Sequence, residues 1–197
     1  MMKAGALMLK RDRRGSAAVE FAVLSMPLSF LLFGALDVGY QLYASSVVQG
    51  TVFTAGRKAT LENADRTVID AFVRQQLVRF AASDKIKITA TSYRAYSGVS
   101  KPEKITTDTG VIGTVDAIGD CWIDSTKNDK YDSSQGSAGI GGAEDIVIYK
   151  VEMDYPYLTP IPNALGFGKI GYITRTTTLK NEPYAGVIDP PTVCKKS

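Results

Sequence analysis

At 197 residues the chain suits one ordinary domain with a short additional element. Histidine is absent, which removes the usual general base, the Ser-His and Cys-His nucleophile pairs and the commonest metal ligand. The formal charge of +3 is a property of the first 15 residues, which hold five of the 23 cations and one of the 20 anions, so that the rest carries 18 against 19 and has no basic excess from which to build a nucleic-acid face.

Residues 1–15 read as a basic leader, with Lys3, Lys10, Arg11, Arg13 and Arg14 against Asp12. The next 21 residues, Ser16 to Leu36, contain a single ionisable side chain, Glu20. As a helix that run reaches roughly 30 Å, one hydrocarbon core. The basic flank predicts a cytoplasmic N-terminus and a C-terminal domain on the outer, periplasmic side. Glu20 is costly within such a span unless it is neutralised, paired or held near the interface. A cut between Gly15 and Ser16 would place a new α-ammonium group one helical turn from Glu20, and that amine or a neighbouring subunit's could supply the missing charge. Pro27 predicts a kink, with Gly34 and Gly39 adding flexibility. Beyond the span, Val38, Leu42, Ser45, Val48 and Phe53 suggest that the helix continues to about residue 60 and packs on the outer domain.

The stretch GSAAVEFAVLSMPLSFLLFGALDVG, with a basic leader, Gly at the cut and Glu20-Phe21 at the fifth and sixth positions after it, resembles the class III signal of type IV pilin-like proteins. Specifically, it is similar to TadE-type pseudopilins of the tight-adherence (Flp) pilus system. That resemblance implies cleavage by a prepilin peptidase at Gly15/Ser16 and a role for Glu20 and Phe21 in assembly. It also implies other pilin-like subunits, an inner-membrane assembly platform and the lipid bilayer as partners, with no nucleic acid, no cofactor and no enzymatic activity. The closing Asn181-Glu182-Pro183-Tyr184 fits the family's turn after its last strand. An ordinary secretory signal fits less well, because the only small-residue cleavage candidate is near Tyr43-Ala44-Ser45-Ser46. The alternative from another class is an uncleaved single-pass protein whose outer domain binds a ligand or uses carboxylates as an enzyme.

Residues 61–197 predict the outer α+β domain. Ala64–Ala82 reads as a helix with Ile69, Phe72, Val73, Gln76, Leu77 and Phe80 on one face, capped by Asn63 or Asp65, and with Arg66, Arg74 and Arg79 on a solvated side. Lys85–Tyr96, Asp145–Tyr155 and Tyr172–Asn181 read as strands, the second with Val147, Tyr149, Val151 and Met153 on one face. The expected architecture is pilin-like: a long N-terminal helix, a second helix and an antiparallel sheet packed on the long one. The link PYLTPIPNALGFG is unusually apolar and predicts packing on the domain, the membrane surface or another subunit. Asp124, Thr126, Asn128 and Asp132 echo positions 1, 3, 5 and 9 of a calcium loop, but Asp129 stands where a Gly should turn the chain and Gln135 where a bidentate Glu is needed. A polar surface loop is the better reading. Cys121 and Cys194 both lie beyond the membrane segment, where disulfides persist, and pairing them is the economical reading, with Trp122 packed on the bridge.

Overall fold

The computed structural model describes residues 15–183 and 189–196. The leader upstream of Gly15, and Tyr184 of the closing turn, lie outside the described residues. Helix α1 spans Ser16–Ala59 and α2 Arg66–Leu77. A four-stranded sheet has the order β4-β1-β5-β6, formed by β1 (Ile86–Tyr93), β4 (Ser137–Ala138), β5 (Ile146–Pro156) and β6 (Ile170–Lys180). A small second sheet has the order β2-β3-β7, from Ile105–Thr107, Cys121–Ile123 and Thr192–Cys194. A one-turn helix α3, Ile161–Ala164, sits in the link between β5 and β6. The fold is mixed α+β, with a long N-terminal helix, a second helix and antiparallel sheets, as the sequence predicts.

The chain divides into two compact units. One holds residues 15–43 with Pro156–Gly171, and the other residues 44–155 and 172–196.

In the second unit the core is built from period. Along β5 every second residue points inward, so Val147, Tyr149, Val151, Met153 and Tyr155 are all buried. Strand β1 runs antiparallel to it, with Ile88 opposite Val151 and Ala90 opposite Tyr149. Helix α2 lies against these strands, because Tyr149 donates its hydroxyl to Asp70 at 2.7 Å and Arg74 donates to the Ile86 carbonyl at 2.9 Å. Burial pushes the Tyr149 hydroxyl well above the usual phenol range, and the Asp70 hydrogen bond adds to that. Asp65 is the N-cap of α2, its carboxylate accepting the Thr67 N–H at 2.7 Å. The helix stops at Leu77, short of the predicted Ala82, although Phe80 and Ala81 remain buried in the turns that follow. Arg74 is not on a solvated side: it ties the end of α2 to the first strand.

Residues 44–59 of α1 also belong to this unit, and the stripe they bury is Ala44, Val48, Val52, Ala55 and Ala59. Of the predicted stripe only Val48 lies on it, while Phe53 is half exposed. Small side chains win because they let backbones approach closely. At Gly56 an added Cβ would lie 2.6 Å from the Thr177 methyl and 2.7 Å from Leu179 Cδ1 on β6. Thr51 and Thr54 return their hydroxyls to the Val47 and Gly50 carbonyls, so neither brings an unpaired donor into the packing. Arg57 and Lys58 complement the C-terminal end of the helix dipole, and Lys58 also sits 4.0 Å above the Phe72 ring of α2.

Candidate functional site

The start of α1 is the candidate processing and assembly site. Its first turn is closed by the Val19 N–H donating to the Gly15 carbonyl at 3.1 Å, so Gly15 stands just outside the helix that Ser16 opens. A Cβ at Gly15 would meet nothing within 4 Å, leaving the Gly15-Ser16 bond sterically open. The Ser16 hydroxyl donates to the Glu20 carboxylate at 2.9 Å, one turn along, and Phe21 is 73% exposed. From Ser16 onward the helix is long and apolar enough to cross a membrane, and its most apolar window buries nothing against the rest of the chain. It continues unbroken through Pro27.

Within the same unit, Asp37 is the residue sequence reasoning missed. It is the first charge after the apolar run, and it is 6% exposed. Its Oδ1 accepts the backbone N–H groups of Leu158 at 2.9 Å and Thr159 at 3.2 Å, and its Oδ2 accepts the Thr159 hydroxyl. Three donors on one carboxylate satisfy a buried charge and fasten the link between β5 and β6 to α1. That link then runs back along the helix: Pro160, Ile161 and Ala164 face Met26, Phe30 and Phe33 across an apolar groove of about 300 Å³. An Asp ending an apolar run was the available signal, but its partners are backbone groups more than 120 residues away, which no local pattern announces.

In the second unit, Cys121 and Cys194 face each other as direct partners on antiparallel β3 and β7, with Cα atoms 4.0 Å apart, and are joined by a disulfide. Trp122 does not pack on that bridge. Successive strand residues point to opposite faces, so Trp122 turns the other way, becomes buried and meets the Tyr131 ring edge-on at 6.2 Å.

The loop from Asp124 to Asp132 does gather the four residues that echo a calcium loop. Thr126 donates its hydroxyl to both Asp124, at 3.2 Å, and Asp132, at 2.7 Å, and Asn128 donates to Asp132 at 2.8 Å. Asp129 adopts the left-handed φ of 60° that a glycine would ordinarily supply. Yet the carboxylates are occupied by the loop's own donors, Asp124 taking the N–H groups of Asn128 and Asp129. Among the described residues no group of three or more acidic, Cys or His side chains is arranged to hold a metal ion. Glu103 anchors the loop from outside, accepting the N–H groups of Ser125, Thr126 and Asp132. Burial pushes the Glu103 carboxyl above its usual range, against the pull of those bonds. Asp120 is the opposite case: the Thr109 hydroxyl, with the N–H groups of Thr109, Ala117 and Asp116, holds it down at about 2.

Residues 15–57 match the family model described as TadE-like protein. The match begins at Gly15, where the helix opens, and ends at Arg57 in its last turn, so the likeness to that family covers α1. Residues 58–197 lie outside it. No curated protein and no solved structure matches the chain significantly.

Proposed function

We propose that the chain is a pilin-like structural or assembly protein of a tight-adherence (Flp-type) pilus. A prepilin peptidase cleaves it between Gly15 and Ser16, and α1 then anchors it in the inner membrane with residues 61–197 as its periplasmic domain. Other pilin-like subunits and the inner-membrane assembly platform are its partners. The observation that carries this reading is the coincidence of the TadE-like match with the opening of α1, where an uncrowded Gly15 precedes a lipid-length apolar stretch holding one acid, Glu20. Glu20 has only the Ser16 hydroxyl as its described partner, and an α-ammonium from a helix lying alongside would neutralise it.

Mass spectrometry of the N-terminus of protein taken from native membranes tests the cleavage. The expected chain begins at Ser16, and Gly15→Leu stays at full length; an intact Met1 in the wild type contradicts the proposal. Glu20→Ala and Glu20→Gln are expected to insert and be processed normally yet to co-purify less with partner subunits at matched expression. Undiminished co-purification in both would remove the pairing role.

A further inference from the structure

From Pro156 to Gly168 the link between β5 and β6 contains no Asp, Glu, Lys or Arg. Its apolar residues are nonetheless largely uncovered: Leu158, Leu165 and Phe167 are 58%, 65% and 71% exposed. They lie along the link from its base towards its tip, where a chain in water would ordinarily be polar.

The position of that tip says what surrounds it. Asp37 holds Leu158 and Thr159 just beyond the end of the apolar run, whereas Pro160 and Ile161 reach Met26 and Phe30, well inside it. From Asp37 back to Met26 the helix rises roughly 16 Å, about half of a bilayer's hydrocarbon thickness.

The backbone is equipped for such a medium. Pro160 and Pro162 have no N–H, and from Tyr157 to Phe167, Asn163 apart, every other N–H finds an acceptor in the segment or on Asp37. Irregular backbone in hydrocarbon requires that self-sufficiency, and water does not. The Lys169 carbonyl accepts from Tyr157 at the base of the link, which puts the first cation level with Asp37, where a side chain can reach lipid phosphates.

We propose that residues 157–168 form a second membrane-inserted element, a re-entrant hairpin that dips beside α1 into the acyl chains of the outer leaflet and is fastened at its base by Asp37. The proposal rests on the reading of α1 as a membrane span. A single protein partner would cover one face of the tip. Ile161 faces α1, and Leu165 and Phe167, which border the helix between Gly34 and Gln41, still leave 65% and 71% of their surface exposed, so the link is apolar beyond its helix-facing side and fits a fluid apolar solvent.

The test uses the full chain, purified from membranes and reconstituted in phosphatidylethanolamine/phosphatidylglycerol vesicles, with and without phosphatidylcholine brominated on its acyl chains. Three proteins are compared: wild type, whose one tryptophan is the buried Trp122, Phe167→Trp, and Phe30→Trp on α1. The expected result is that the added tryptophans at 167 and 30 each lose about half their emission to brominated lipid, as residues within hydrocarbon should, while wild type loses none. Leu165→Trp repeats the measurement at a second exposed position should Phe167→Trp not fold. Tryptophan at 167 quenched by aqueous iodide and untouched by brominated lipid would place the link in water and overturn the hairpin alone. Shielding from both quenchers would mean a protein cover and overturn it equally. If tryptophan at 30 also escapes brominated lipid, α1 does not span and the proposed anchoring fails with the hairpin.

Discussion

The two halves of α1 follow opposite rules. Residues 16–43 carry large apolar side chains that are almost all exposed, Phe21, Leu24, Leu28 and Leu31 among them, and bury a single acid, Asp37. Residues 44–59 bury small ones, Ala44, Val48, Val52, Ala55 and Ala59, and expose a large one, Phe53. Bulk marks the half proposed to lie in lipid, and smallness marks the half whose neighbour is a sheet. In hydrocarbon a side chain gains nothing by hiding, whereas against β6 closeness of approach decides the packing.

The same polar substitution should therefore act on different properties in the two halves, and this is the largest effect expected. Val52→Asp puts a charge where nothing is exposed and should cost about 4 kcal/mol, enough to unfold a marginal domain. Leu31→Asp should leave the melting of the second unit untouched and instead lower the membrane-inserted fraction, by about 3 kcal/mol at the middle of a span. Circular dichroism melts in detergent, with membrane fractionation alongside, separate the two. Equal loss of folding in both variants would abolish the distinction between the halves.

The disulfide comes next, and it concerns the unit in which the second half of α1 is buried. Its two cysteines lie 73 residues apart, so opening it should cost about 4 kcal/mol in the chain-entropy model. Paired Cys121→Ala and Cys194→Ala changes should lower the denaturation midpoint of the second unit and leave membrane insertion unaltered. A midpoint unchanged by the double substitution would mean that the β2-β3-β7 sheet holds without its covalent tie.

A finer comparison uses one substitution twice. Gly56→Ala places a methyl against Thr177 and Leu179 at contacts no real Cβ tolerates and should cost about 1–3 kcal/mol by overpacking. Gly34→Ala meets nothing within 4 Å and lies in the exposed half of the helix, so it should leave the denaturation midpoint unchanged. Chemical denaturation of the two variants reads the difference directly, and a neutral Gly56→Ala would show that β6 gives way.

These contrasts show which parts of the molecule were legible in advance. Strand β5 was, because its alternation is written in adjacent residues, and so was the apolar opening of α1, because charge is missing from an entire run. The buried stripe of residues 44–59 was misjudged because hydrophobicity was used where size decides, and α2 was overrun because Phe80 and Ala81 stay buried after the helix has ended. Asp37, Glu103 and Asp120 carry the least local signal. Each serves backbone N–H groups, at separations from three residues to more than 120, and a main-chain donor leaves no side-chain mark in sequence. Arg74 looked solvated for the same reason, since its acceptors are carbonyls.

The smallest effect expected is a dependence on acid, and it sharpens the contrast between two carboxylates of the second unit. Asp120 titrates at about 2 in the fold, held down first by the Thr109 hydroxyl and then by backbone N–H groups, and near 3.8 when released. A depressed carboxyl contributes stability that is complete above the unfolded value and is lost as pH falls from about 3.8 towards about 2. Glu103 has the opposite sign, because burial raises it, so its protonation favours the folded form as pH falls. Asp120→Asn isolates the first contribution. An amide offers one acceptor oxygen where Asp120 offers two, so the donors of Asp116 and Ala117, or those of Thr109, lose their partner at every pH. The gap in stability between wild type and variant should accordingly be widest near neutrality and narrow below pH 3.8, as the wild-type carboxyl gains its own proton and also comes to hold a donor where an acceptor is needed. Urea midpoints of both proteins measured from pH 7 down to 2 give that difference. A gap that stays constant across the range would mean that Asp120 titrates at its ordinary value and that its four donors do not hold it in the ionised form.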